Sequence, residues 1–195
     1  MRFDQCTNGN IFMHGWTKEQ AVMSDHDKAI LQELAKKMAA YAARPEEEAR
    51  IQLWRDHNDL KDTRPLIYID LENGWNELLP MEFTCQCEGE MAQEWEMWLH
   101  KELIYAEKIK CDKPIEAKFY IPYQAHNPMW GVEKKVIGDV KGGEAITWES
   151  PITDDMMEDD FDVKELIKIP QITIDWEATE AYTAIAHDVF DGILT

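Results

Sequence analysis

The chain has 195 residues, 45% of them hydrophobic, and a formal charge of −19 from 39 acidic and 20 basic residues. That length allows one domain or a little more, and that apolar content supports a sizeable core and excludes wholesale disorder. The charge argues against sequence-independent nucleic-acid binding, which needs a basic surface to replace counterions, and against docking on an anionic membrane. No run approaches the ~18 apolar residues of a membrane span, and the N-terminus has no continuous apolar stretch of the secretory kind. Four cysteines, Cys6, Cys85, Cys87 and Cys111, do not make a disulfide scaffold and read as reduced thiols of a cytoplasmic protein.

In chain order, residues 1–23 show no period and read as a loosely attached arm. Ser24 followed by Asp27 matches a capping box, and Ile30, Leu31, Leu34, Met38 and Ala42 follow at helical spacing. That helix should stop near Arg44, because Pro45 disfavours helix at the residue before it. Pro45 can open a second helix with Glu46, Glu47 and Glu48 in its first turn, where negative charge suits the helix dipole. Leu53, Trp54, His57 and Leu60 give that helix an apolar side.

"RPLIYID" (64–70) is the first convincing strand, and its short apolar run predicts burial on both faces, as in a parallel sheet. "MEFTCQCEG" (81–89) reads as a short extended piece. A long helix follows, roughly Glu90 to Lys110, with Met91, Trp95, Trp98, Leu99, Leu103 and Ala106 on one side. "IEAKFYIPY" (115–123) alternates as a half-exposed strand does. Strand, helix and strand in that order predict a parallel β/α unit. Turn-rich pieces around "VEKKVI" (132–137) predict a short β excursion. "VKELIKIP" (163–170) predicts a short helix stopped by Pro170, and a helix from Ala178 turns Ala181, Ile185, Ala186 and Val189 inward. Asp191-Gly192 signals its C-cap, and "ILT" (193–195) looks like the start of another strand.

The chemistry on offer is sparse. Cys85-x-Cys87 is the nearest approach to a metal motif, but a structural zinc site wants four ligands and there is no second pair. The acidic run 154–162 lacks EF-hand spacing and reads as a solvated loop rather than a calcium site. Most tryptophans fall at core spacing; Trp75 is the exception, in the loop after the first predicted strand. Residues just past strand C-termini face the ligand crevice in α/β sheets. Asp70, Trp75, Asn76 and Glu77 are therefore the candidate substrate contacts, against the plainer reading of a turn with a helix starting at Asn76. His126 is the one histidine placed, like them, just after a predicted strand, and structure is the plainer role for it too. No phosphate-binding glycine loop, nucleophile elbow or Ser/His/Asp arrangement is present.

From about Ser24 onward the chain resembles the uroporphyrinogen decarboxylase-like superfamily, in the branch near corrinoid-dependent methyltransferases. The resemblance is carried by "LWRDHNDLKDTRPLIYID", by the Trp75-Asn76-Glu77 loop with "MEFTCQCE", by the long helix after it, and by "ELIKIPQITIDWEATEAYTAIAHDVFDGILT". It implies a (β/α)8 barrel, of which residues 24–195 would be the N-terminal part. A full barrel takes ~250 residues, so this chain would hold leading helices, about two barrel strands and a small β excursion. In the methyltransferase branch zinc is held by His and Cys from later barrel strands and acts with a corrinoid protein; this chain has no His-x-Cys element. The decarboxylase branch binds substrate carboxylates with an Arg-rich loop after the first strand, whereas "DLENGWNEL" is acidic and lacks Arg, which speaks against a tetrapyrrole-like substrate.

The expectation is therefore an N-terminal fragment without catalysis of its own and without a cofactor of its own. It would associate with itself or with a chain carrying the rest of the barrel; a self-sufficient acidic α+β binding or adaptor module is the alternative. The resemblance leaves out residues 1–22, and Met23 precedes the capped first helix, so natural synthesis is expected to start there. Intact mass of the natively expressed protein checks this: a mass counted from Met23 is expected, and one counted from Met1 would refute it.

Overall fold

The computed structural model describes residues 16–71, 74–126, 130–131, 135–137, 147–150, 152–153 and 162–195. The structure is α-rich, with small β pieces. Helix α1 (Asp25–Ala42) starts as predicted, with Ser24 Oγ accepting from the Asp27 N–H at 3.0 Å. The Asp27 carboxylate does not complete a capping box. It is buried, and it reaches across to accept the N–H groups of Glu88 (2.8 Å) and Gly89 (3.1 Å).

Helix α2 (Pro45–Asn58) has Pro at its first turn, where the missing N–H costs nothing. Of its three leading glutamates, Glu47 is buried; it pairs with Arg50 and accepts the Ile115 N–H at 2.9 Å. A residue expected to serve the helix dipole is instead a strut to a distant segment. Leu60, assigned to the apolar side, is exposed and stands at φ 59°, a left-handed turn that ends the helical path.

Two four-residue helices follow, α3 (Trp75–Leu78) and α4 (Met81–Thr84). The second replaces the front half of the predicted extended piece at 81–89. Helix α5 (Glu90–Glu107) is the central element and packs on α1. Met91, Trp95, Leu99 and Leu103 are buried at the predicted spacing, while Trp98 and Ala106 are half-buried against the core. The residues that open α5 hang from two carboxylates. Glu96, fully buried, accepts the N–H groups of Gln86 (2.9 Å) and Cys87 (2.8 Å), and Asp27 takes the next two. Four successive backbone donors that precede a helix are thereby satisfied inside the protein.

The predicted strand at 64–70 is not a strand. Ile67, Tyr68 and Ile69 are exposed, Ile67 to 58%, and the backbone bonds go elsewhere. The Ile67 N–H donates to Asp112 Oδ2 at 2.8 Å, its carbonyl accepts from the Asp112 N–H at 2.7 Å, and Tyr105 Oη donates to the Ile69 carbonyl at 2.7 Å. A short apolar run looks like a buried strand only if a neighbouring strand is there to cover it, and the described residues provide none. The stretch 115–123 likewise forms no strand ladder of its own. It does meet the end of the chain: the Thr195 N–H donates to the Ala117 carbonyl, and the Phe119 N–H to the Thr195 carbonyl, both at 2.9 Å. That is the spacing of parallel pairing.

The β excursion is present as two small antiparallel ribbons. Strand β2 (Lys135–Ile137) pairs with β3 (Thr147–Glu149), and β1 (Ala125–His126) pairs with β4 (Thr173–Ile174). Strand β1 falls in a stretch whose composition reads as turn-rich. Helix α6 (Val163–Leu166) stops well before Pro170. Helix α7 (Trp176–Phe190) begins two residues ahead of the predicted start, because Asp175 caps it by accepting the Ala178 N–H at 2.9 Å. Gly192 at φ +78° follows its end, in keeping with the C-cap signal. The acidic run 154–161 lies outside the described residues. Among the described residues the fold displays helices with two ribbons and one parallel contact, and a barrel fragment is not shown.

The core gathers where α1, α5 and α7 meet the 115–121 segment. Its centre is aromatic: Phe119 lies 4.4 Å from Phe190, 4.9 Å from Trp95 and 5.0 Å from Trp98, between ring centroids. Such pairs add to simple area burial. Trp95→Ala should cost about 3–5 kcal/mol of unfolding free energy, read as a lower midpoint in urea with an unchanged slope.

Candidate functional site

The loop singled out in the sequence is built by segment 64–71, α3 and the C-terminal half of α5. Trp75 opens α3 and is buried, 6% exposed, rather than offered to solvent as a stacking face. Its ring meets Tyr105 of α5 edge-on at 5.4 Å, and Lys101 Nζ lies 5.5 Å over it. Its indole N–H makes a long contact of 3.4 Å with Asp70 Oδ1. Tyr68 stacks on Tyr105 at 6.2 Å, and Lys113 Nζ sits 4.6 Å over the Tyr105 ring while pairing with Glu102. The structure thus joins two of the predicted residues, Asp70 and Trp75. Glu77 is exposed in the first turn of α3. The side chains of Asn76 and His126 lie outside the described residues; Asn76 falls within α3 and His126 within β1.

Beside this cluster, Asp112 anchors Arg64 and Ile67. The Arg64 guanidinium forks onto both Asp112 oxygens, with one bond at 2.8 Å, and holds the carboxyl well below its ordinary range, helped by the Ile67 N–H. The Asp112 carbonyl accepts from Trp54 Nε1 at 2.7 Å, which ties α2 to the same point. This is a brace for the candidate loop and offers no reacting group.

Cys85 and Cys87 offer no activated thiol either. Cys85, Cys87 and Cys111 are free. Burial pushes the Cys85 thiol up to about 12, and burial with the nearby Glu96 carboxylate pushes Cys87 higher still. A thiol reacts and binds metal as thiolate, so neither is activated here. Glu96 is opposite in sense. Burial works against its charge, but the His100 ring nitrogen 3.5 Å away and the hydrogen bonds from the Cys87 and Gln86 N–H groups outweigh it and hold the carboxyl below its ordinary value. Among the described residues no group of three or more His, Cys, Asp or Glu side chains is placed to hold a metal ion.

Sequence reasoning missed a second cluster, around Glu94. This residue lies on α5, 9% exposed, and burial pushes its carboxyl up to about 7. Trp16 Nε1 donates to Glu94 Oε2 at 3.2 Å, and the Trp16 N–H donates to Oε1 of the buried Gln124 at 3.0 Å. Gln124 is fixed in turn by α7: its N–H donates to Thr179 Oγ1 at 2.9 Å and its carbonyl accepts from the Asp175 N–H at 2.8 Å. Tyr182 of α7 is buried, its hydroxyl has no hydrogen-bond partner among the described residues, and the Glu94 charge helps to raise it. The signal in the sequence was an acidic residue on the apolar side of a helix, three residues after Met91 and four before Trp98.

Comparison with protein-family models, with curated proteins and with solved structures found no match. Among the described residues no helix is long and apolar enough to cross a membrane.

The Asp112 brace has a definite pH signature. Its carboxyl is lowered in the fold, so its contribution is complete above the unfolded value of about 3.9 and is lost progressively as pH falls from there toward the lower folded-state value. Asp112→Asn should lower Tm by a few degrees near neutral pH, and the gap to the parent should close in acid. Thermal melts at several pH values check this.

Proposed function

We propose that this chain is the N-terminal part of a uroporphyrinogen decarboxylase-like barrel protein. The complete form would be a cytoplasmic methyltransferase working with zinc and a corrinoid protein. The chain alone does not catalyse. The observation that carries this reading is apolar surface left in water: Ile67, Tyr68 and Ile69 in one segment, Tyr120 and Tyr123 in another, and Ile172, Ile174 and Trp176 near the second ribbon. β-forming side chains left in water along adjacent segments are what a sheet short of its neighbours presents.

The described residues bring no zinc ligand set together, so in this reading the metal is held by the later barrel strands of the complete protein. What this chain contributes to the complete site is the loop braced by Asp112, with Asp70 and Glu77 on it and Trp75 packed beneath. The acidic loop gives no reason to favour a tetrapyrrole carboxylate substrate.

The rival, a self-sufficient acidic α+β binding module, is favoured by the continuous aromatic core and by the fact that "ILT" finds a partner at Thr195. The two separate in solution. The fragment reading expects association that grows with concentration in sedimentation equilibrium, a Tm that rises with it, and no demethylation of methylcobalamin when a thiol is supplied. A monomer with a sharp, concentration-independent melt would overturn it in favour of the module.

A further inference from the structure

The ribbon of β1 and β4 combines an uncovered apolar face with an open edge. Ala125 pairs with Ile174 and His126 with Thr173, and the same register sets Tyr123 opposite Trp176, where the two rings meet at 5.5 Å. Residues opposite one another share a face, and so do residues two apart. Tyr123, Ala125, Ile172, Ile174 and Trp176 therefore fall on one face, and all five are exposed, Tyr123 to 64%. Two strands with such a face left in water make a marginal sheet, and a third strand is what stabilises one.

The two edges differ. Backbone groups alternate across a strand. The Asp175 N–H donates to the Gln124 carbonyl, so the backbone groups of Thr173 and Asp175 turn toward β1 and those of Ile172 and Ile174 turn away. Among the described residues nothing bonds to the Ile172 or Ile174 N–H. Pro122 and Pro128 bracket β1 in the sequence, and proline has no N–H to offer an incoming strand; β4 has only Pro170 before it. The flanking charge is mainly acidic: Asp175, Glu177 and Glu180 follow β4 and are exposed, and the whole chain carries −19. A second copy would bring like charge onto like charge, whereas a basic segment is attracted.

We propose that the outer edge of β4 docks an extended segment of a partner protein in which apolar and basic residues alternate. Its backbone pairs with the outward groups of Ile172 and Ile174. Its apolar side chains extend the face of Ile172, Ile174 and Trp176, and its cations fall on the opposite face, beside Thr173 and Asp175. This holds for a barrel fragment and for a self-sufficient module alike.

Fluorescence anisotropy with the full chain and a labelled synthetic peptide of alternating valine and lysine tests this. The valine–lysine peptide should bind. A serine–lysine peptide of the same charge and a valine–glutamate peptide should bind at least about tenfold more weakly. Ile174→Pro removes an outward N–H and no bond to β1, so its helical circular dichroism should match the parent while affinity for the valine–lysine peptide falls about tenfold. A valine–lysine peptide with proline at its central positions should lose as much on the parent protein, a comparison that needs no variant to fold. Absence of binding by the valine–lysine peptide overturns the proposal. So does equal affinity for the serine–lysine peptide, which would mean charge attraction alone, or undiminished binding of the proline peptide. Sedimentation in which Ile174→Pro separates a dimer into monomers gives the edge to a second copy and overturns it too.

Discussion

Two buried carboxylates hold the entrance to the central helix, and the rest of the packing follows from that. Glu96 and Asp27 between them accept four consecutive backbone N–H groups, Gln86 through Gly89, just before α5 begins. A buried carboxylate is stable only when its lone pairs are used, and a chain turning into a helix has donors to spare. The match fixes α5 against α1, since Asp27 belongs to one helix and Glu96 to the other. With α5 in place, Trp95 and Trp98 face the spot where Phe119 and Phe190 arrive from distant parts of the chain.

A second consequence is the way the non-helical segments are held. Segment 64–71 is pinned by Asp112, through both its carboxylate and its backbone N–H, and by the Tyr105 hydroxyl, rather than by a neighbouring strand. Ile115 is held through Glu47, and 117–119 through the chain end. Each segment has one side tied to the helical layer and the other open, which is why strand-forming residues such as Tyr68 and Tyr123 remain exposed. The candidate loop inherits this geometry. Asp70 and Trp75 are positioned by a packed aromatic cluster, while Glu77 extends into solvent. The second cluster, at Glu94, differs in kind. There a carboxyl is enclosed with an indole and a phenol, and its charge is set by how far water is kept away.

The sequence by itself determined the long helices, though not the four-residue ones. Ser24, Pro45 and Gly192 are local signals, and the spacing of Leu31, Leu34 and Met38, or of Met91, Trp95 and Leu99, is a local pattern; a long helix closes its hydrogen bonds within itself, so local information suffices. It also indicated a β excursion, now seen as the 135–137 and 147–149 ribbon. Only the tertiary structure decided the rest. Whether "RPLIYID" is a strand depends on a partner tens of residues away, because a strand's hydrogen bonds lie between segments. Whether Glu47, Glu94 and Glu96 are solvated or buried depends on what the fold brings against them, which composition and spacing do not encode. Trp75 was legible as part of a loop, but not as a buried ring against Tyr105, because that contact is made by a helix whose placement is fixed elsewhere, at Asp27 and Glu96.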